Sequence, residues 1–142
     1  MKPVSVLLQQ REAALWHTTP DTIVFDALQV LARHEVGALL VMEHGKLVGV
    51  FSERDYTRKV ALQGKNSKTM TVAEIMTPNV FTVTPDTRTR ACMALMSQKR
   101  IRHLPVVDGD TVIGMISIRD LMDDVIADQE QTIEQLTSYI HS

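Results

Sequence analysis

The chain has 142 residues, 44% hydrophobic and 23% charged, a balance that fits one soluble globular domain and excludes an intrinsically disordered chain. Its formal net charge of −2, with Lys and Arg spread along the chain, leaves no electrostatic footprint for nucleic acid or an acidic membrane. A lone cysteine excludes an internal disulfide, and neither a membrane-length apolar run nor a signal-like start is present, so the expected location is the cytoplasm.

In chain order, Val4-Ser5-Val6-Leu7-Leu8 reads as a short apolar helical lead-in. A short strand at Trp16-His17-Thr18 stops at Thr19-Pro20-Asp21-Thr22, where proline after threonine predicts a helix start. Val24, Ala27, Leu28 and Leu31 then form one apolar helical stripe. Ala38–Met42, a turn at Glu43–Lys46 and Leu47–Phe51 predict a hairpin whose apolar strands are covered on both faces. Ser52 stands at the N-cap position of a second helix that begins Ser-Glu-Arg-Asp. A polar segment, residues 65–71, links this unit to the second half of the chain.

The same order then returns. A gapless shift of 65 positions lays Thr19-Pro20-Asp21-Thr22 on Thr84-Pro85-Asp86-Thr87, Gly49 on Gly114, Ser52 on Ser117 and Arg54-Asp55 on Arg119-Asp120. Phe81-Thr82-Val83 repeats the opening strand, Cys92, Met93 and Met96 repeat the helical stripe, and residues 104–107 with 111–116 repeat the hairpin. Val72–Met76 matches the lead-in at a shift of 68, so the first copy holds three extra residues before Trp16. An internal repeat of this kind predicts two similar β-α-β-β-α units, an α+β fold, related by an approximate twofold axis. The expected boundaries are 1–64 for the first repeat with its lead-in, 65–71 for the linker, 72–127 for the second repeat and 128–142 for a C-terminal helical extension.

The doubled pattern of Thr-Pro, a strand start such as Ile101-Arg102-His103-Leu104-Pro105, and Gly-x-x-Ser-x-x-Asp resembles a tandem pair of CBS (cystathionine beta-synthase) domains over about residues 4 to 127. The first repeat departs from it at Leu40, where the second has Pro105. The resemblance implies a non-catalytic regulatory module that binds an adenosyl compound (AMP first, with ADP, ATP, NAD or S-adenosylmethionine as variants), associates as a homodimer and biases a partner protein. It also implies that each cleft combines the Ser-x-x-Asp of one repeat with the Thr-Pro and strand start of the other. One site would be Val50, Ser52 and Asp55 with Thr82, Thr84, Ile101, Arg102, His103 and Arg119; the other would be Met115, Ser117 and Asp120 with Thr19, Val36, Gly37, Ala38 and Arg54.

The residue chemistry suits that assignment. A serine N-cap leaves helix N-terminal amides for an anion. An aspartate one turn on can accept two hydrogen bonds from vicinal ribose hydroxyls, and its charge suits the sugar rather than the phosphate. Arg102, His103 and Arg119 would hold the phosphate, which makes the first site the expected phosphorylated one. The competing account takes Ser52…Asp55 and Ser117…Asp120 as helix caps only, in a structural or interaction module with vestigial clefts.

Other groups carry less. His17, His34, His44 and His141 have no metal-ligand spacing, so no metal is expected. Ser117, His103 and Asp120 assemble a hydrolytic triad on paper, without the Gly-x-Ser-x-Gly elbow such a nucleophile uses. From Leu121 onward the chain lacks Gly and Pro, and Ile126, Ile133 and Ile140 recur every seven residues with Met122, Gln129 and Leu136 between them. That heptad-like stripe predicts a helix seeking a partner, or packing on its own domain.

Overall fold

The computed structural model describes residues 2–9 and 15–141. The join where the first copy holds three extra residues, and Ser142, lie outside them. The elements are α1 (Val4–Gln9), β1 (His17–Thr18), α2 (Val24–His34), β2 (Ala38–Glu43), β3 (Lys46–Ser52), α3 (Glu53–Tyr56) running into a π-turn (Thr57–Ala61), α4 (Val72–Ile75), α5 (Thr89–Lys99), β4 (His103–Asp108), β5 (Thr111–Ser117) and α6 (Ile118–His141). The fold is α+β, as the alternation of periods predicts.

Two compact units divide the chain. In the first-repeat unit, β1 pairs parallel with β2, which pairs antiparallel with β3, His17 opposite Leu40 and Ala38 opposite Ser52. Residues 38–41 are all buried, as expected of a strand covered on both faces. In the second repeat, β4 and β5 form the hairpin. The opening strand foreseen at residues 81–83 shrinks to one parallel bridge, Val83 with Val106. The stripe holds in both helices: Val24, Ala27 and Leu31 are buried in α2, and Cys92 and Met96 in α5. Burial also pushes the Cys92 thiol above its ordinary pKa, which suits a packing role.

The lead-ins are exchanged between the repeats. Val4 and Leu7 of α1 belong to the apolar cluster of Cys92, Met96, Leu104, Val106, Ile116 and Leu121, in the second-repeat unit. Val72 and Ile75 of α4 belong to the cluster of Val24, Leu31, Leu39, Val41 and Phe51, in the first-repeat unit. The repeated glycines are the floors for these segments. A Cβ on Gly114 would stand 2.7 Å from Leu8 Cδ2, and one on Gly49 would stand 2.7 Å from Met76 Sδ and 3.0 Å from the Thr77 carbonyl. Leu8 and Met76 correspond under the same shift of 68 that aligns the lead-ins.

Thr-Pro-Asp-Thr does not start a helix; α2 begins at Val24 and α5 at Thr89. The threonine hydroxyls close the motif into a polar knot instead. Thr19 Oγ1 donates to Asp21 and lies 2.7 Å from Thr22 Oγ1, and Thr84 Oγ1 is similarly placed with Asp86 and Thr87. These hydroxyl bonds hold the Asp21 and Asp86 carboxyls below their ordinary pKa. Neither Ile23 nor Arg88 supplies a side-chain cap. Backbone carbonyls do so: the Val24 amide donates to Met70 at 2.9 Å, Phe25 to Ser67 at 3.0 Å, and Thr89 to Lys2 at 3.0 Å. The segment 65–71 is therefore laid along the start of α2 rather than hanging as a loose tether.

Each first helix ends on a residue in the left-handed region, Glu35 at φ 53° and Arg100 at φ 55°. Near the start of α5, Asp124 has a fully buried carboxylate that accepts from Thr89 Oγ1 at 3.1 Å and lies 3.7 Å from Lys2 Nζ. The expected C-terminal helical extension continues α6, which runs unbroken from Ile118 to His141. Its last turns remain uncovered in this chain: Ile133 is 62% exposed and Ile140 75% exposed.

Candidate functional site

Both Ser-x-x-Asp motifs are capping boxes. Ser52 is extended at the N-cap of α3; the Asp55 amide donates to its Oγ at 3.1 Å, while the Ser52 amide and hydroxyl donate to Asp55 Oδ2 at 3.0 and 2.9 Å. Ser117 repeats this with Asp120: the Asp120 amide reaches its Oγ at 3.3 Å, and its own amide and hydroxyl reach Asp120 Oδ2 at 2.7 and 3.1 Å. Reciprocal bonds of this kind satisfy donors that a helix start otherwise leaves orphaned.

The strand start of each repeat lies against the cap of the same repeat. The Glu53 amide donates to the Gly37 carbonyl at 3.1 Å, and the Ile118 amide donates to the Arg102 carbonyl at 2.8 Å. These two bonds correspond residue for residue under the shift of 65. They also narrow the helix-terminal anion site expected from the sequence. The first and third helical amides are taken inside the chain, which leaves at most the Arg54 and Arg119 amides to greet a phosphate.

Of the first residue set, Val50, Ser52 and Asp55 lie in the first-repeat unit, and Thr82, Thr84, Ile101, Arg102, His103 and Arg119 lie in the second-repeat unit. Of the second set, Met115, Ser117 and Asp120 lie in the second-repeat unit, and Thr19, Val36, Gly37, Ala38 and Arg54 in the first. Arg102 and Arg119 are exposed and His103 half-buried; Thr82 is exposed, as are Thr19 and Thr84 at the knots. Val50 is buried, and its backbone exchanges two hydrogen bonds with Thr77, at 3.1 and 2.9 Å.

Three residues absent from the sequence expectations stand around Asp55 and the helix starts. Lys59 Nζ lies 3.1 Å from Asp55 Oδ1 and donates to the Ile75 carbonyl at 2.9 Å, and Thr77 Oγ1 donates to Asp55 Oδ1 at 3.2 Å. A lysine four positions after an aspartate on a helix is a readable pairing signal, so Lys59 was within reach of the sequence. Thr77 and Asp124 act on residues far away in the chain, and no local pattern announces them. Of the three residues of the paper triad, the Ser117 hydroxyl is engaged with Asp120 in its own cap. Among the described residues there is no cluster of three or more His, Cys, Asp or Glu that could hold a metal ion.

Two repeats, each a helix, a hairpin and a serine-capped helix, define a tandem CBS module. The CBS domain family model matches residues 15–62 and 72–127, and the chain belongs to that family. Among relatives, the mitochondrial CBS domain-containing protein CBSX3 of Arabidopsis thaliana is 43% identical over 131 residues, 89% of this chain and 63% of that protein. YhcV of Bacillus subtilis is 31% identical over 103 residues, 72% of this chain and 73% of that protein. The chain therefore spans less than two thirds of CBSX3. Among solved structures, the CBS domain NE2398 superposes with a TM-score of 0.84 at 46% identity, covering 88% of this chain and 98% of that one. A protein with CBS domains from Burkholderia ambifaria MC40-6 gives 0.87 at 44% identity, covering 90% and 96%. No helix among the described residues is long and apolar enough to cross a membrane.

Proposed function

We propose that this chain is a non-catalytic regulatory module that senses an adenosyl nucleotide, AMP first and ADP, ATP or NAD as variants, and passes that state to a partner protein. The observation that carries it is the twice-built cap: Ser52 with Asp55 and Ser117 with Asp120, each beside its strand start. In this reading Asp55 and Asp120 accept ribose hydroxyls, and Arg102, His103 and Arg119 meet the phosphate. The Burkholderia ambifaria relative carries the provisional description of a signal-transduction protein, which is consistent with a sensor role. The ligand acts by binding two conformations unequally. The protein works as a homodimer through α6, in a reducing compartment such as the cytoplasm, although the CBSX3 relative is named mitochondrial.

The test is a melting-shift series with AMP, ADP, ATP and NAD, paired with mass spectrometry of the purified protein for a co-purifying nucleotide. A stabilising shift with at least one of them supports the sensor; turnover of any of them contradicts the non-catalytic assignment. A second reading, an interaction module with vestigial clefts, draws on the uncovered stripe of α6, where Leu136 is 59% exposed. It predicts no shift with any nucleotide.

A further inference from the structure

An ionised carboxylate has about four lone-pair positions to offer. In Asp55 all are used inside the chain. Oδ2 accepts from the Ser52 amide and hydroxyl, and Oδ1 accepts from Thr77 Oγ1 at 3.2 Å and lies 3.1 Å from Lys59 Nζ. The carboxylate is 12% exposed and the Lys59 side chain 42% exposed, so the oxygen is shielded while the lysine can swing into water. Lys59 sits in the π-turn, a local widening of the helix that recurs at functional sites. Its second bond goes to the carbonyl of Ile75, the last residue of α4, where a cation complements the helix terminus.

The three side chains thus fasten residues 75–77 onto the cap of α3, and the paired backbones of Val50 and Thr77 lie beneath. The position corresponding to Lys59 in the second repeat is Asp124, whose carboxylate turns to Thr89 and Lys2 instead.

We propose that Lys59 is a latch: with Thr77 it fills the outer oxygen of Asp55 and pins residues 75–77, and a diol-bearing ligand that uses Asp55 must first open it. The identity of that ligand rests on the nucleotide reading; the pinning does not. Lys59 is then a specificity-determining residue, because it sets how much a ligand loses in displacing the chain's own donors.

The experiment compares the full chain with its Lys59→Met variant, which keeps the stem and removes the charge, by hydrogen exchange and by calorimetric titration with adenosine. Adenosine carries no phosphate, so loss of a cation cannot weaken it by charge. The expected result is faster exchange at the Val50 and Thr77 amides in Lys59→Met, together with adenosine binding about threefold to fivefold tighter than wild type. The gain should vanish in the double variant with Asp55→Ala. Unchanged exchange at both amides, or adenosine binding that is equal or weaker in Lys59→Met, overturns the latch. Faster exchange where neither adenosine nor AMP binds either protein upholds the pinning and overturns the nucleotide reading instead, so the two failures are distinguishable.

Discussion

Leu8 lies over Gly114 so closely that a methyl group on the glycine would come within 2.7 Å of its Cδ2 atom. The corresponding pair in the other unit, Met76 over Gly49, adds a backbone carbonyl, Thr77, at 3.0 Å. A leucine tip can rotate away; a carbonyl tied to Val50 cannot. Gly49→Ala should therefore cost about 1–3 kcal/mol, the usual range for overpacking, and Gly114→Ala clearly less. Chemical denaturation of the two variants checks the order, and equal costs would mean that the Thr77 backbone yields as easily as a side chain.

The left-handed helix ends give a prediction of opposite sign. Glu35 and Arg100 occupy a conformation that disfavours residues with a Cβ, and glycine relieves that crowding while adding freedom to the unfolded chain. The balance should leave Arg100→Gly more stable by about 0.5–1 kcal/mol. The same denaturation measurement checks it, with a lowered midpoint as the contrary result.

Much of this fold is written locally. The hairpins, the apolar stripes of α2 and α5 and both serine caps follow from patterns a few residues long, and they stand where periodicity and turn chemistry place them. Thr-Pro-Asp-Thr misleads because its hydroxyls bond within the motif, which moves the helix start to Val24 and Thr89. The exchange of lead-ins was illegible, since Leu8 and Gly114 are distant in sequence and nothing near either one names the other. In the sequence the glycines are only repeated letters of the Gly-x-x-Ser-x-x-Asp motif; in space they make room for packed side chains. The caps were legible as residues, but their saturation was not, because Asp55 is filled partly by Thr77.

The stripe of α6 bears on assembly. Ile133, Leu136 and Ile140 are exposed in the chain by itself, at 62%, 59% and 75%, and an apolar helical stripe of this kind favours a second helix against it. Ile133→Glu combined with Leu136→Glu should weaken the proposed homodimer while leaving the two apolar clusters intact, since neither residue belongs to them. Sedimentation decides this: a monomeric wild type, or a variant dimer of undiminished affinity, would refute the role given to this helix.

Calorimetric titration of AMP into the wild type, Asp55→Ala and Asp120→Ala tests the sensor reading most directly, with circular dichroism confirming that each variant keeps its secondary structure. If the twin caps serve a ribose, the wild type binds, and at least one variant loses about 1.5–3 kcal/mol, roughly tenfold to a hundredfold in affinity. Affinity unchanged in both variants, or no binding by the wild type, would contradict it.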